Sequence, residues 1–340
     1  MKKALITGIS GQDGAYLAKS LLDDGYHVTG ALRRGAERSF WRLKELGIEN
    51  DIDITEFELC EFSNIVKSFE KTNPDLIFNL AAQSFVASSF DEPIYTIDVD
   101  AIGVVRCLEA IRMVVPEAKF YQASTSEMFG GVHKGVPTNE ESYFHPRSPY
   151  GCGKLLAHHM VQNYREGYGI FGCSGILFNH ESPLRGEEFV TRKITLGIAN
   201  ILNGNQKKLS LGNLNSERDW GHARDYVEAM KLMLEAEKPD DYVIASGETY
   251  SIRTFVEMAF NVVDIELEWV GNDLDEKGID TKSGNTLVDI NPTFFRPTEV
   301  DVLLGDPSKA EKELKWKRNS SFMDLVTEMV QADIKRIDTR

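Results

Sequence analysis

Tyr150 and Lys154 have the spacing in this chain most suggestive of chemistry. Residues 149 to 163 are expected to be helical, and helical side chains four residues apart lie one above the other on the same face. A phenol titrates near pH ~10 in water, and an ammonium fixed beside it favours the phenolate. The pair is therefore expected to exchange a proton near neutral pH, as the oxidation of an alcohol requires. The same spacing also recurs by chance on amphipathic helices.

A second polar group precedes this helix and consists of Ser124, Thr125, Ser126 and Glu127. Residues 120 to 123 are predicted to form a strand that leads into it. Hydroxyl groups at the carboxyl end of a strand in an open α/β sheet point towards the crevice where ligands bind. Glu127 would place a carboxylate at the same edge. The alternative is a hydroxyl-rich turn with a glutamate that caps a helix.

Composition limits the classes of function. The chain has 340 residues, of which 42% are hydrophobic and 27% charged, as in globular proteins. Its formal net charge of -15 argues against a nucleic-acid partner or an anionic membrane surface, since both require a basic footprint. No apolar run approaches the ~18 residues of a membrane span, and the N-terminal run is too short for a signal peptide. A cytoplasmic protein is expected.

The four cysteines are widely scattered and form no C-x-x-C pair. Neither a zinc site nor a disulfide framework is therefore predicted. The seven histidines contain no H-E-x-x-H or comparable set, so no metal site is expected. An anionic ligand on this acidic chain must be met by locally clustered arginine and lysine side chains.

A glycine turn stands at the start of the chain, between a strand predicted from Lys3 and a helix predicted from Ala15. Its glycines are Gly8, Gly11 and Gly14. Glycines at this place let the backbone turn sharply and approach a pyrophosphate, whose charge is favoured at the N-terminus of the following helix. The turn therefore predicts dinucleotide binding.

Arg33 and Arg34 end the second predicted strand, close to the place where an NAD-binding unit carries an acidic residue for the ribose 2′-hydroxyl. Guanidinium groups suit a 2′-phosphate through bidentate, charge-assisted hydrogen bonds. The pair favours NADP over NAD. Next to it, residues 35 to 49 form a partly apolar excursion, which hints at a contact between subunits.

Strands and helices continue to alternate. Glu58 and Leu59 end the third predicted strand, where an adenine could rest, and small residues follow the fourth. Repeated β-α units predict an α/β fold with a doubly wound, parallel, Rossmann-type sheet. The expected NADP-binding domain covers residues 1–175, with roughly 218–247 returning to it. A smaller, interleaved C-terminal domain of residues 176–217 and 248–340 would bind the substrate, and the tail from Asp333 is expected to fray.

Several strings carry a family likeness from end to end: Thr7-Gly8, Gly11-Gln12-Asp13-Gly14, Arg33-Arg34, Asn79-Leu80-Ala81-Ala82, Tyr121-Gln122-Ala123-Ser124-Thr125-Ser126-Glu127, Pro146-Arg147-Ser148-Pro149-Tyr150, Phe178-Asn179-His180-Glu181-Ser182-Pro183, Phe189-Val190-Thr191-Arg192-Lys193 and Phe295-Arg296-Pro297. On these strings the chain resembles the GDP-mannose 4,6-dehydratases, within the extended short-chain dehydrogenase/reductase superfamily. The resemblance implies a lyase that converts a GDP-hexose to a GDP-4-keto-6-deoxy sugar with loss of water.

In that reaction Tyr150, with Lys154 beside it, would take the proton of the sugar 4-hydroxyl while hydride leaves C4 for NADP. Glu127 would remove the C5 proton and help to expel the C6 hydroxyl as water. Thr125 would polarise the C4 oxygen, with Ser126 near the leaving group. Hydride then returns to C6. Oxidation and elimination call for two separate bases, which the Tyr/Lys pair and Glu127 supply.

The motifs and the resemblance together imply two sets of binding residues. Cofactor contacts are expected from Gly8, Ser10, Gly11, Gln12, Asp13, Arg33, Arg34, Glu58, Leu59, Leu80, Ala81, Ala82, Ser84, Tyr95, Lys154, His180 and Arg185. Substrate contacts are expected from Ser84, Ser126, Asn179, Val190, Lys193, Arg218, Arg296 and Glu299. Residues 179 to 193 are dense in groups that suit a diphosphate, including Arg192.

Several alternatives stay open. GDP-manno-heptose would undergo the same dehydration, and an NDP-sugar 4-epimerase would need the Tyr/Lys pair but not Glu127. A non-catalytic NADP-binding protein would need neither. The chain also departs from many relatives in having Gly151 and Gly153 between Tyr150 and Lys154, which weakens the helix or allows a close backbone approach. A homo-oligomer, a tetramer or possibly a dimer, is expected.

Overall fold

The computed structural model describes residues 1–35, 40–133, 135–294 and 302–339. Within these ranges no helix is both long enough and apolar enough to cross a membrane.

Sixteen strands occur in the described ranges. In chain order they are β1 Lys3–Thr7, β2 His27–Leu32, β3 Asp53–Glu56, β4 Leu76–Asn79, β5 Lys119–Thr125, β6 Gly172–Leu177, β7 Asn179–Glu181, β8 Leu209–Leu211, β9 Glu217–Arg218, β10 Trp220–His222, β11 Tyr242–Ile244, β12 Tyr250–Ser251, β13 Leu267–Val270, β14 Lys277–Asp280, β15 Thr286–Ile290 and β16 Val302–Leu303.

Twelve α-helices accompany them in the same ranges. They are α1 Gln12–Asp23, α2 Trp41–Glu45, α3 Phe62–Thr72, α4 Ser88–Asp91, α5 Pro93–Ile97, α6 Gly103–Val114, α7 Pro149–Tyr168, α8 Val190–Leu202, α9 Ala223–Glu235, α10 Ile252–Asn261, α11 Ser308–Glu313 and α12 Phe322–Asp338.

The main sheet has seven strands in the order β11-β6-β5-β4-β1-β2-β3, and every pairing in it is parallel. The direction of winding reverses between β1 and β4, and the carboxyl ends of the strands around such a point form the crevice where ligands bind. The predicted doubly wound parallel sheet is confirmed.

Helices cover both faces of this sheet because its strands are apolar on both sides. Buried side chains of α1 and α9 form one core with one face of the sheet, and those of α3, α6 and α7 form a second core with the other face. Strand β11 pairs with β6 at the edge of the sheet, after helix α9. Trp316, which the prediction assigns to the C-terminal domain, packs in the core of the main sheet. The exact domain boundaries stay a prediction.

The helical segment between β4 and β5 is divided. A turn of π-helix, Asp98–Ile102, separates α5 from α6. Such turns insert an extra residue into a helix and are frequent at functional sites. This one buries Asp100, whose Oδ1 accepts a hydrogen bond from the backbone of Gln83 at 2.7 Å.

A third core lies between α8, α10 and α12 and the four-stranded sheet β13-β14-β15-β8. The expectation of a frayed tail from Asp333 is wrong. Helix α12 runs to Asp338, and Asp333 is fully buried, where it accepts hydrogen bonds from Arg192 at 2.8 Å and from Arg336 at 2.9 Å. Charged side chains stay buried at a chain end when they are paired in this way.

The partly apolar segment 35–49 is covered by its own chain where it is described. Leu43 is buried, and Phe40 and Trp41 pack against the core that contains α1. The guanidinium of Arg336 lies over the Trp41 ring at 5.4 Å. The argument that this segment needs a neighbouring subunit is therefore removed, although residues 36–39 lie outside the described ranges.

Candidate active site

A cavity of about 370 Å³ opens at the carboxyl ends of β1, β4, β5 and β6, and sixteen of the predicted site residues line it. They are Gly8, Ser10, Gly11, Gln12, Asp13, Leu80, Ala82, Ser84, Thr125, Ser126, Glu127, Tyr150, Lys154, Asn179, His180 and Arg185. These residues come from two halves of the chain, and the parallel sheet brings their strand ends to one edge.

The glycine turn is as tight as its sequence predicts. Gly8 has φ of +70°, and a Cβ atom there would lie 3.0 Å from the backbone nitrogen of Ala81. A Cβ atom on Gly14 would lie 2.4 Å from the Gly8 oxygen. Only glycine fits these two positions, and α1 begins directly after Gly11 with its N-terminus at the cavity. The turn thus forms the cradle that a pyrophosphate needs.

Side chains tie three strand ends together beneath the cavity. The Thr7 hydroxyl donates to Asn79 at 2.8 Å, and Asn79 donates to Gln122 at 2.8 Å. The Thr7 oxygen also accepts hydrogen bonds from the backbone of Leu80 and Ala81, each at 3.0 Å. This buried network fixes the turn after β4 against Gly8, so the small residue at position 81 serves close packing.

We use the name catalytic floor for residues 124–127 together with Tyr150 and Lys154. Tyr150 lies in the first turn of α7, where the Ser148 side chain caps the helix by accepting a hydrogen bond from Gly151 at 3.0 Å. A Cβ atom on Gly151 would lie 3.0 Å from the carbonyl oxygen of Glu127. Glycine at 151 therefore lets the helix approach the Glu127 turn closely, which explains one half of the unusual glycine pair.

Lys154 is held one turn along the same helix. It is 3% exposed, donates a hydrogen bond to the Ala123 carbonyl at 3.0 Å and lies 5.7 Å from the centre of the Tyr150 ring. The structure thus places the phenol and the ammonium on one face of α7.

The pKa of Tyr150 differs from the expectation. Burial raises the pKa of the Tyr150 phenol above its ordinary value, and the nearby Asp100 carboxylate raises it further. Burial also lowers the pKa of Lys154, although the charge of Asp100 opposes this. The expected lowering of the phenol pKa by Lys154 is therefore outweighed, because removing both groups from water disfavours their charged forms.

Asp100 is a titratable group beside the catalytic floor that sequence reasoning missed. Burial raises the pKa of its carboxyl to about 6, against the effects of Lys154 and of the hydrogen bond from Gln83. Its Oδ2 is buried and has no hydrogen-bond partner among the described residues. The charge of this carboxylate raises the pKa of both Tyr150 and Lys154, after the larger effect of burial on each.

Glu127 reaches the same cavity from the turn that follows β5. Its backbone nitrogen donates to the Thr125 hydroxyl oxygen at 3.2 Å, and residues Ser126–Met128 form a short 3-10 helix. Thr125 hydrogen-bonds Tyr150, which lowers the phenol pKa against the larger effect of burial. A carboxylate and a phenol thus open into one cavity, as the chemistry of two bases requires.

His180 binds the two halves of the chain together. Its Nε2 lies 2.8 Å from Asp13, and its Nδ1 lies 2.8 Å from the Phe178 carbonyl. Burial alone would lower the pKa of His180, but the Asp13 carboxylate raises it; in turn His180 lowers the pKa of Asp13 despite the latter's burial. Gln12 adds contacts to the His180 carbonyl at 3.1 Å and to the Ser182 hydroxyl at 2.7 Å.

The arginine pair lies in a second cavity of about 140 Å³ at the ends of β2 and β3. Arg33 and Arg34 line it with Glu56, and Arg33 donates to the Tyr95 hydroxyl at 2.8 Å. Glu58 and Leu59 follow β3, which ends at Glu56 rather than at Leu59. Neither of them lines the two cavities.

Several predicted substrate residues stand back from the main cavity. Val190 and Lys193 lie in the first turn of α8, with the Lys193 ammonium 3.2 Å from the centre of the Phe294 ring. Arg218 lies in β9 and is 8% exposed. Arg296 and Glu299 lie outside the described residues.

The guanidinium of Arg192 is bound by protein groups. Arg192 is 3% exposed, and its guanidinium donates to Asp333, to the Pro183 carbonyl and to the Arg185 carbonyl. Asp225 is likewise structural, because its carboxylate accepts hydrogen bonds from the backbone of Asn319 and Ser320, each at 3.1 Å.

Further residues line the cavity and were not predicted as site residues, among them Arg42, Glu188 and Phe189. Glu188 and Phe189 lie in the charged segment that the sequence singled out. Arg42 had no local signal, because it sits in a five-residue helix away from any strand end.

Comparison with known proteins agrees with this geometry. A family model described as GDP-mannose 4,6 dehydratase matches residues 5–329. A GDP-mannose 4,6-dehydratase of Sinorhizobium fredii (strain HH103) is 49% identical over 340 residues, which cover 98% of this chain and 97% of that protein.

Solved structures with the same fold are more distant in sequence. DesIV, a dTDP-glucose 4,6-dehydratase of Streptomyces venezuelae with NAD and TYD bound, has a TM-score of 0.83 at 19% identity. The match covers 99% of this chain and 98% of that one. RMD of Pseudomonas aeruginosa, complexed with NADPH, has a TM-score of 0.78 at 20% identity, over 99% and 100% of the two chains. The fold, the cavity and the full-length match lead to one assignment: this chain belongs to the GDP-mannose 4,6-dehydratase family.

Proposed function

We propose that this chain is an NADP-dependent hydro-lyase that converts GDP-mannose to its 4-keto-6-deoxy derivative with loss of water. The observation that carries the proposal is that Glu127 and Tyr150 line one cavity, next to the glycine turn. Two bases in one cavity support an oxidation followed by an elimination, whereas a 4-epimerase has no use for the carboxylate. A non-catalytic binding protein would need neither group.

The residues present fit a dinucleotide. The glycines allow a turn so tight that a Cβ atom at Gly8 or Gly14 would collide with neighbouring backbone, and the α1 N-terminus that follows favours a diphosphate. A bound nicotinamide would supply the hydride acceptor for the oxidation at C4 and the hydride donor for the reduction at C6. Arg33 and Arg34, in their own cavity, suit the 2′-phosphate and favour NADP over NAD.

Tyr150 acts on the 4-hydroxyl. Its raised pKa keeps the phenol protonated in the ligand-free site, so the proton must leave before the oxidation. A cation beside a phenol stabilises the phenolate. Lys154 would have this effect on Tyr150 when the negative charge of Asp100 does not offset its positive charge. Thr125, which hydrogen-bonds the phenol, orients it towards the sugar oxygen.

Glu127 acts on the oxidised sugar. A ketone at C4 makes the C5 proton acidic, and the Glu127 carboxylate would remove that proton and pass it to the C6 hydroxyl, which departs as water. Ser126, 3% exposed at the cavity, is near the leaving group. Tyr150 then returns a proton to C5. The two residues work in sequence, so the loss of either one stops a different step.

The GDP portion requires positive charge on a chain that is acidic overall. Arg185 lines the main cavity, and Lys193 and Arg218 lie behind it in α8 and β9. Burial lowers the pKa of Lys193, and a diphosphate beside it would favour the charged form of the ammonium group. Asn179 adds a neutral donor at the cavity wall.

The experiment is a product assay with GDP-mannose and GDP-manno-heptose supplied in parallel, in which the loss of one water is followed by mass. Water loss from GDP-mannose supports the proposal. Water loss from the heptose alone would transfer the same mechanism to the longer sugar. Inversion at C4 without any water loss would instead assign an epimerase and refute the proposal.

The protein is also proposed to work in the cytoplasm as a homo-oligomer, a tetramer or a dimer. Its four cysteines are free thiols, which is typical of a reducing compartment. Exposed apolar side chains on the neighbouring helices α5, α6 and α7, among them Ile94, Met113 and Leu156, support a subunit contact. Sedimentation that shows only a monomer at working concentration would refute the oligomer.

A further inference from the structure

Arg42 connects two walls of the cavity. Its Nε donates to the Leu184 carbonyl at 2.6 Å, and one terminal nitrogen donates to the Ser10 carbonyl at 2.9 Å. Ser10 belongs to the glycine turn, and Leu184 belongs to residues 182–189, which we name the outer wall. The two contacts need a forked donor, because a lysine presents a single nitrogen at the end of its chain.

Arginine side chains occupy three backbone carbonyls of the outer wall. The carbonyl oxygens of Pro183 and Arg185 both accept hydrogen bonds from Arg192 at 2.9 Å, and the Leu184 carbonyl between them accepts from Arg42. Carbonyl oxygens carry partial negative charge and would repel an anionic ligand. With them occupied, the wall presents the Arg185 side chain to the cavity.

The same wall is anchored to the glycine turn at a second point. Ser182 donates to Gln12 at 2.7 Å and accepts from the Leu184 backbone at 3.0 Å. Arg42 is thus the charged member of a two-point link between the outer wall and the turn. Unlike Ser182, Arg42 also lines the cavity itself.

The Arg42 side chain is supported by a cation-π contact to Trp41 and by ion pairs next to that ring. Its guanidinium lies 4.5 Å from the centre of the Trp41 ring, and Arg336 lies over the same ring at 5.4 Å. Arg336 is paired with Glu45 and with the buried Asp333 of helix α12. The C-terminal helix therefore supports the residue that joins the two walls.

We propose that Arg42 is a positioning residue that fixes the gap between the glycine turn and the outer wall, and so keeps the dinucleotide bound between the removal of hydride and its return. This inference rests on the proposed function. In that reaction the same cofactor must give back what it has taken, so premature release would strand the sugar as a 4-ketone that still carries its C6 hydroxyl.

The test compares the wild-type chain with Arg42→Lys and with Arg253→Lys as a matched control. Arg253 also makes a forked contact, to Glu276, and stacks on Trp269 at 4.7 Å, but it lies in the C-terminal region away from the cavity. Each protein is loaded with NADPH and chased with excess NADP, and the loss of bound-NADPH fluorescence gives the dissociation rate.

Arg42→Lys is expected to release NADPH about tenfold faster than wild type, as the loss of one charge-assisted hydrogen bond predicts. During turnover it should also lose NADPH to the solution. Arg253→Lys should release NADPH at the wild-type rate. Arg42 is only partly buried, so the variant is expected to fold. Equal release rates for wild type and folded Arg42→Lys would overturn the inference.

A second variant tests whether the guanidinium itself is responsible. In Arg42→Ala, free guanidinium at millimolar concentration should slow NADPH release again, whereas free ammonium should not. No slowing by guanidinium would count against the positioning role. If wild type itself does not bind NADPH, the proposed function fails. If wild type binds NADPH and the Arg42 variants release it at the wild-type rate, this inference alone fails.

Discussion

The catalytic floor and the outer wall of the cavity satisfy their polar groups in different ways. On the floor, burial dominates. Tyr150 and Lys154 are nearly inaccessible, and burial shifts the pKa of each side chain in the direction that favours its neutral form. In the outer wall, hydrogen bonds and ion pairs dominate, because Arg42 and Arg192 hold its carbonyls. The floor is thereby suited to moving protons, and the wall to holding an anion.

The contrast also concerns sequence distance. The floor residues lie between positions 124 and 154, in one strand, one turn and one helix. The wall depends on partners from α2 and α12, near opposite ends of the chain. Changes in the floor should therefore alter chemical steps, and changes behind the wall should alter stability and ligand retention.

The largest effect is expected from Glu127→Gln on the floor. Without the carboxylate the C5 proton stays in place, so net water loss should fall by at least about 100-fold. Exchange of deuterium between C4 of the sugar and the cofactor should remain detectable by mass, because it needs only Tyr150. Glu141→Gln, an exposed glutamate in the loop before α7, serves as the control. Normal turnover by Glu127→Gln would show that the second base lies elsewhere.

Next in size is Asp333→Asn, behind the wall. It leaves Arg192 and Arg336 without their buried carboxylate, and the free energy of unfolding should drop by about 3 kcal/mol. Urea denaturation measures the loss. Asp338→Asn, exposed on the same helix, should change the free energy by less than about 0.5 kcal/mol. Equal effects of the two substitutions would mean that the wall does not depend on this ion pair.

A smaller effect on the floor is expected from Asp100→Asn. Removing the carboxylate takes away a charge that adds to burial in raising the pKa of Tyr150, so the rising limb of rate against pH should move to lower pH. Asp100 itself has a pKa raised to about 6, so it is neutral below that pH, and the two profiles should converge there.

The pH profile of kcat/KM measures this shift. Asp98→Asn is the matched control, since Asp98 lies in the same π-helical turn but pairs with Arg106 at 2.9 Å. Identical profiles for wild type and Asp100→Asn above pH about 6 would remove Asp100 from the charge balance of the floor.

The smallest effects compare two helix caps. Ser148 caps α7, which carries the floor, and Ser321 caps α12, which supports the wall. Replacement of either serine by alanine should lower the free energy of unfolding by about 1 kcal/mol. Only Ser148→Ala should also slow turnover, because it loosens the turn that holds Tyr150. A larger rate loss in Ser321→Ala would reverse the assignment of roles.

Much of the floor could be predicted because its signals are local. The four-residue spacing of Tyr150 and Lys154 and the glycines of the first turn depend only on helix geometry and on backbone sterics. The doubly wound parallel sheet followed from the repeated β-α units and is confirmed, whereas its strand order came from the structure. Predicted boundaries failed where a local pattern continues past the element, as at Glu58 and Leu59 beyond β3.

The outer wall could not be predicted in the same way. Arg42 and Arg192 read as ordinary charged residues until the fold places carbonyl groups beside them, and Asp333 reads as part of a polar tail. Two residues predicted for the substrate side, Arg296 and Glu299, lie outside the described residues and stay sequence predictions.

The sequence by itself determined the family, the parallel α/β fold and the residue types available for two bases and a dinucleotide. The tertiary structure alone decided the direction of the Tyr150 pKa shift, the pairing of Arg192 with Asp333 and the link that Arg42 makes. The physical reason is that spacing along the chain fixes which side chains share a face, whereas burial and charge pairing depend on neighbours that only folding brings together.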